Sequence, residues 1–375
     1  MLKEYNIRDK LFFLFVVVYI LSILNIILTL PIGSNEAKIF YSESGILYQI
    51  SHIFYGAFNN NLDFRLPFFI FGILNMYLFF ILSKIYLNDI KKSMFATTIF
   101  TLLPGIITSS VIINIASFVI TLVLIFIISY SKGWKILEIL SMIALLLIHD
   151  ASVIFFISLS IYFAFERDRA MFTLSILFTA VSLIYFNGLD IGGKPKGTFL
   201  ELFGLYSALF SPIVFIVFFY SLYRIWLREK KDILWYISFT AFILSILLSL
   251  RQQVIITDFA PYVIVATILM VVTYFKTLNV RLPRFQSRYK IVCRVVILSL
   301  IISSLVILFH KPLFYILDDK SKHFAYPFYN PYWISSDIAK KGRKCYTDKH
   351  RNIAYQLKYY GIEECRVTSV PKIHN

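Results

Sequence analysis

Apolar runs of about twenty residues recur along this chain, beginning with LFFLFVVVYILSILNIILTL at 11–30. A hydrocarbon layer of about 30 Å takes a helix of that length to cross, and inside it each backbone N–H and C=O must be satisfied within its own segment. Such a pattern excludes a soluble core and leaves a bundle of membrane helices. Composition agrees: the 375 residues are 59% hydrophobic and 15% charged, with mean hydropathy +0.75. Soluble domains sit near 45–50% apolar and about a quarter charged. The first run is longer than a signal-peptide core and has no small-residue cleavage site, so it reads as a retained helix.

The fold expected is therefore an all-α polytopic membrane protein. The runs give about eleven helices, at 11–31, 65–83, 94–110, 112–130, 136–149, 151–165, 171–187, 205–227, 233–250, 256–275 and 290–310. The net charge of +16 follows this topology rather than a nucleic-acid footprint. With a cytoplasmic N-terminus, 20 of the 37 Lys and Arg fall in inner segments, 5 in short outer loops and 12 in the C-terminal tail. The bias between short loops places the N-terminus inside and, with an odd number of spans, the C-terminus outside.

Two outer regions break the pattern. The first loop, 32–64, contains GILYQISHIFYGAF at 45–58, which suits a helix lying in the membrane interface with its aromatics at headgroup depth. It re-enters at Arg65-Leu66-Pro67, where Pro suits a first helical turn. Residues 311–375 form a polar, Tyr-rich tail after the membrane part, 1–310. Helical spacing at Ser335–Lys341 and Asn352–Tyr360, with short strands expected at Arg343–Tyr346 and Cys365–Ser369, suggests a small α/β appendage. Cys293 lies in the last span and reads as a buried apolar residue. Cys345 and Cys365 sit in the tail, where an oxidising compartment fits either a disulfide or two free thiols.

Ionisable groups at the outer face are few: Glu36, Lys38, Glu43, Asp63, Arg65, Asp150, Asp190, Lys194, Lys196, Glu201, Arg251 and Asp258. Most sit at span ends, where water is within reach, so a solvated loop residue is the plain reading of any one of them. Glu36 stands out. It follows the first span in PIGSNEAKIF, ahead of the interfacial segment, where a base could meet a lipid-borne substrate. The plain alternative is a structural cap or an ion-pair partner. His149-Asp150 interrupts an apolar stretch, marking a helix break or a functional pair, with Asp150 a second catalytic candidate. His149 and Glu43 are the candidate metal ligands. Lys38, Arg65, Lys194, Lys196 and Arg251 are the cations available to hold a lipid phosphate. IGGKPKG at 191–197 is not a Walker pattern, and the chain contains no GxGxxG, HExxH, CxxC pair or GxSxG.

In their order these features resemble the GT-C superfamily of membrane glycosyltransferases, in particular the protein-mannosyltransferase and aminoarabinose-transferase branch. That branch carries an Asp-Glu motif after the first span, here Asn35-Glu36, and a span opening Arg-Leu-Pro, here Arg65-Leu66-Pro67. A Pro-Gly corner follows, matched by LLPGIITSS at 102–110, then a Lys-Gly-Pro-like break, where this chain has Ile148-His149-Asp150-Ala151. RQQVIITDFAPYVIVA at 251–266 is similar to the family's Arg and Tyr-Leu-Leu-Pro-like stretch. The resemblance covers about residues 30–275 and departs at two acids: Asn35 and Asn114 stand where the family has carboxylates. It implies Glu36 as the remaining base of the pair, and the missing second acid counts against a divalent-metal site.

The function expected is transfer of a sugar from a polyprenyl-phosphate-linked donor to a lipid, protein or glycan acceptor at the periplasmic face of a bacterial inner membrane. The sequence makes no cofactor certain and leaves a divalent metal open but doubtful, and no nucleic-acid partner is expected. A glycan polymerase or ligase of the O-antigen or exopolysaccharide type is the first alternative, but those carry a large Arg-rich outer loop late in the chain. A transporter or scaffold is the second, and transporters tend to show repeat symmetry, of which the chain has none.

Overall fold

A computed structural model describes residues 7–41, 45–58, 60–186, 198–342, 345–346 and 353–365. Each apolar run corresponds to a helix or a broken helix. In chain order they are α1 (Ile7–Thr29), α4 (Leu62–Leu87), α5 (Ile90–Thr101) with α6 (Pro104–Val111), α7 (Ala116–Lys132), α8 (Lys135–Ile148) and α9 (Ser152–Glu166). There follow α10 (Arg169–Tyr185), α11 (Phe199–Phe210) with α12 (Pro212–Arg228), α13 (Ile233–Ser249), α14 (Ile256–Ile264) with α15 (Thr267–Val280), and α16 (Pro283–Leu308). Among the described residues, four helical stretches are by themselves long and apolar enough to cross a membrane, six if each sharply bent pair is one span. Four more apolar helices, α7, α9, α10 and α13, run 15–17 residues. The protein is a multi-pass helical membrane protein.

Two expected single spans are broken, each at a proline. Pro104 opens α6, which bends 65° from α5, and Pro212 opens α12, which bends 104° from α11. Proline lacks the N–H that would continue the preceding helix and its ring clashes with the preceding turn, so the chain turns there. Other helix ends carry local signals: Asp89, Asp168 and Asp232 cap the N-termini of α5, α10 and α13. Gly133 (φ 72°) closes α7 in the left-handed conformation.

Two compact units emerge: residues 1–23 with 68–308, and residues 24–67 with 309–375. The first is a helical bundle cored by Phe, Ile, Leu and Val from α5–α7, α9 and α11–α15. Small residues bring its helices close, as expected where lipid offers no hydrophobic drive for association. Ser152 and Ser182 meet at 3.2 Å. Asn75 donates to the Ser117 carbonyl (3.0 Å) and accepts from Thr121 (2.6 Å), a buried polar link from α4 to α7.

The second unit joins the first loop to the tail, which a boundary drawn along the chain at 310 separates. It contains α2 (Ser34–Tyr41), α3 (Ile46–His52), α17 (His310–Ile316), α18 (Tyr326–Lys340) and α19 (Ala354–Tyr359). Two short parallel strands, β1 (Cys345–Tyr346) and β2 (Glu363–Glu364), pair Cys345 with Glu363 and Tyr346 with Glu364. The second strand precedes the expected Cys365–Ser369, of which 366–369 lie outside the described residues. The interfacial segment expected at 45–58 is helical only over α3, turns following it. The appendage core is small, Tyr346, Leu357 and Ile362 with Ile334, Ile338 and Ile353. A Cys345–Cys365 disulfide closes it (Cα–Cα 4.8 Å), resolving the choice between bonded and free thiols.

Candidate functional site

In the second unit, Gly33 precedes α2 and Glu36 occupies its third helical position. Glu36 Oε2 accepts from the Gly33 N–H at 2.8 Å, the back-reaching half of a capping box. The same carboxylate takes two bonds from Arg65, Nε to Oε1 at 2.9 Å and Nη2 to Oε2 at 2.6 Å. Arg65 also donates to the carbonyls of Ile27 (3.2 Å), Leu30 (2.7 Å) and Pro31 (3.0 Å). A guanidinium has five N–H groups, and these five bonds use them all. Arg65 is fully buried and Glu36 3% exposed.

Arg65 was expected to hold a lipid phosphate, and the geometry leaves it no N–H for one. Its role is to gather the end of α1, the turn that follows and α2 around a buried charge pair. Glu36 likewise has both oxygens engaged and almost no exposed surface.

The tail packs on the same turn. Gln356 Nε2 donates to the Ile32 carbonyl (2.9 Å) and the Pro327 carbonyl (3.2 Å), and Ile32 N–H donates to the Tyr360 hydroxyl (3.2 Å). Burial pushes that hydroxyl up to about 12, so it stays neutral. Phe40 lies among Phe64, Tyr55, Tyr359 and His52. Asp63 accepts from the N–H groups of Gly56 (3.0 Å) and Phe58 (2.7 Å), holding the turn ahead of α4. On α2 the exposed residues are Ser34, Asn35 and Lys38.

In the first unit, α8 ends at His149 in an extended conformation, Asp150 follows in the turn, and α9 begins at Ser152. His149 Nδ1 and Asp150 Oδ1 are 3.1 Å apart; His149 is buried and Asp150 exposed. Asp150 Oδ1 also accepts from the Ala151 N–H at 2.8 Å. Asp258, in the first turn of α14, joins them: one ligand-capable atom from each of the three lies within 4.8 Å of the others. The Tyr262 ring stacks on His149 (centroids 6.3 Å apart) and its hydroxyl reaches the Ala151 carbonyl at 3.5 Å.

Arg251 is exposed in the turn that follows α13. Lys194, Lys196 and Glu43 lie outside the described residues. Asp258 was legible only as one more ionisable group, because its neighbours are over a hundred positions away. Asn114, at the second acid position, bonds its own turn, accepting from the Ala116 N–H (2.9 Å) and donating to the Ile112 carbonyl (2.9 Å).

The class of protein that this fold defines is a polytopic helical membrane protein. Among solved structures, ArnT from Cupriavidus metallidurans in the apo state is similar, with a TM-score of 0.59 at 11% identity over 94% of this chain and 84% of that one. No family model matches the chain. No curated protein matches it either.

Proposed function

We propose that the protein is a membrane glycosyltransferase that moves a sugar from a polyprenyl-phosphate-linked donor to an acceptor at the periplasmic face of the bacterial inner membrane. The observation that carries this reading is the likeness of fold to ArnT across 94% of the chain. The sequence order of the Asn35-Glu36, Arg65-Leu66-Pro67 and Pro104-Gly105 features adds to it.

Transfer requires a carboxylate to take a proton from the acceptor, and cations to meet the phosphate as the sugar leaves it. Asp150 is the exposed carboxylate beside a His at a helix break, and it takes the proton. Arg251, exposed in the same unit, meets the phosphate, with Lys194 and Lys196, outside the described residues, as further candidate cations. Glu36 acts through Arg65 as a positioning residue of the first loop.

The test is transfer in membranes supplied with labelled polyprenyl-phosphate sugars, comparing wild type with Asp150→Asn and Arg251→Ala at matched expression. A general base contributes typically about 10²–10⁴-fold, so Asp150→Asn is expected to lose at least about a hundredfold. Transfer by wild type that is indifferent to Asp150 removes it as the base. No transfer with any donor by a correctly inserted wild type overturns the reading.

A further inference from the structure

Two carboxylates and an imidazole converge in the first unit without Lys or Arg to balance them. Among the described residues, neither Asp150 nor Asp258 forms an ion pair with Lys or Arg, and the basic group at ion-pair distance is the His149 ring, 3.1 Å from Asp150. His149 is 2% exposed, and its Nε2 is buried with no hydrogen-bond partner among the described residues. Buried ring nitrogens are almost always bonded, and an orphan one needs a reason. Like charges within a few ångströms repel, and one of the two carboxylates sits on a largely buried helix. A cation held by one ring nitrogen of His149 and an oxygen of each Asp balances the two carboxylates.

We propose that His149, Asp150 and Asp258 form a binding site for a divalent transition cation, Zn²⁺ or Mn²⁺. One imidazole with two carboxylates is a nitrogen–oxygen ligand set that suits these ions, whereas Ca²⁺ and Mg²⁺ favour all-oxygen shells. Three protein ligands leave a position open for water or for an oxygen of a bound phosphate. The ligands are carried by the α8 terminus and the first turn of α14. Tyr262 ties the two together by stacking on His149 and by its bond to Ala151, so the set is held by rigid elements. The proposal deepens the transferase reading, because it puts one oxygen of the proposed base on a cation and leaves the other to face the acceptor.

The experiment uses the full chain purified in detergent, stripped with chelator and dialysed. Zn²⁺ and Mn²⁺ are then titrated by calorimetry, and bound metal is counted by elemental analysis. Wild type is compared with His149→Ala and Asp258→Asn, with size-exclusion and melting profiles to confirm folding. Wild type is expected to bind a single equivalent and to melt at a higher temperature with metal than without. Each variant should bind at least about tenfold more weakly, since even residues that only orient a ligand contribute that much. Asp150→Asn, at an exposed turn, keeps the test decisive if the buried variants fail to fold. Absence of a stoichiometric ion, or equal binding by the variants, overturns the site. Metal uptake is read without any sugar donor, so transfer without metal binding counts against this site alone. Metal binding without transfer counts against the transferase reading alone.

Discussion

Arg65 Nη2 lies 2.6 Å from Glu36 Oε2, with the guanidinium side chain fully buried and the carboxylate 4% exposed. The pair closes a loop whose other anchors come from the far end of the chain, through Gln356 and Tyr360. Breaking one partner of a buried pair strands the other charge, which costs roughly 3–5 kcal/mol. Glu36→Gln and Arg65→Lys are therefore both expected to lower the melting temperature in detergent. Lysine keeps the charge but cannot reproduce the five-donor fork. A Glu36→Gln variant that melts like wild type yet loses transfer would return Glu36 to the role of base.

The disulfide makes a separate prediction. It spans 20 positions and encloses α19, the helix that carries Gln356. Closing a loop of about that length is worth about 3 kcal/mol on the chain-entropy account, a large share of what so small a core supplies. Replacing Cys345 and Cys365 by Ser is expected to leave the membrane bundle folded while α19 becomes readily cleaved by added protease. In the oxidised, denatured wild type a maleimide should label Cys293 alone. Labelling of further thiols would show that the bond does not form.

How much of this was legible in the sequence depended on range. Helices such as α7, α9 and α13 follow from local hydropathy, and their caps at Asp232 and Gly133 from local chemistry. The 104° bend at Pro212 was signalled by Ser-Pro but was hidden inside an apolar run that reads as one span. Arg65 reads as a free cation at a span mouth, because nothing nearby announces that the carbonyls of Ile27, Leu30 and Pro31 will converge on it. The contact between Ile32 and Tyr360 bridges 328 positions, and no periodicity encodes it. Asp258 escaped notice as a site residue for the same reason.

His323 makes the tail sensitive to acid. Its Nδ1 accepts from the Ala325 N–H at 3.0 Å, so Nε2 carries the proton and donates to the His310 carbonyl, also at 3.0 Å. The Phe314 and Phe324 rings flank it. Burial lowers its pKa below the ordinary 6.5, the bond to His310 offsetting part of the shift. The depressed folded value means that the contribution of neutral His323 is complete above about pH 6.5. As pH falls below that, the unfolded chain takes up the proton first and stability declines, until the folded value is passed. Protease sensitivity of the tail should therefore rise between about pH 7 and pH 5. His323→Gln should flatten that rise. An unchanged pH profile in the variant would place the titration elsewhere.

Close packing in the bundle can be probed at a single methyl. Gly72 on α4 faces Ser110 on α6, and a Cβ at position 72 would come within 2.6 Å of the Ser110 Cβ and 3.3 Å of its Cα. The nearest atom is the Ser110 hydroxyl oxygen, and even if that swings aside the Cβ and the backbone behind it remain too close. Overpacking of this kind costs typically about 1–3 kcal/mol, so Gly72→Ala is expected to lower the melting temperature even though alanine is the better helix former. Ser110→Gly in the same chain removes the Cβ and hydroxyl contacts but not the backbone one. The double variant should recover part of the loss, and the two changes should fail to add because the residues touch. If Gly72→Ala melts at or above the wild-type temperature, α4 and α6 do not approach this closely.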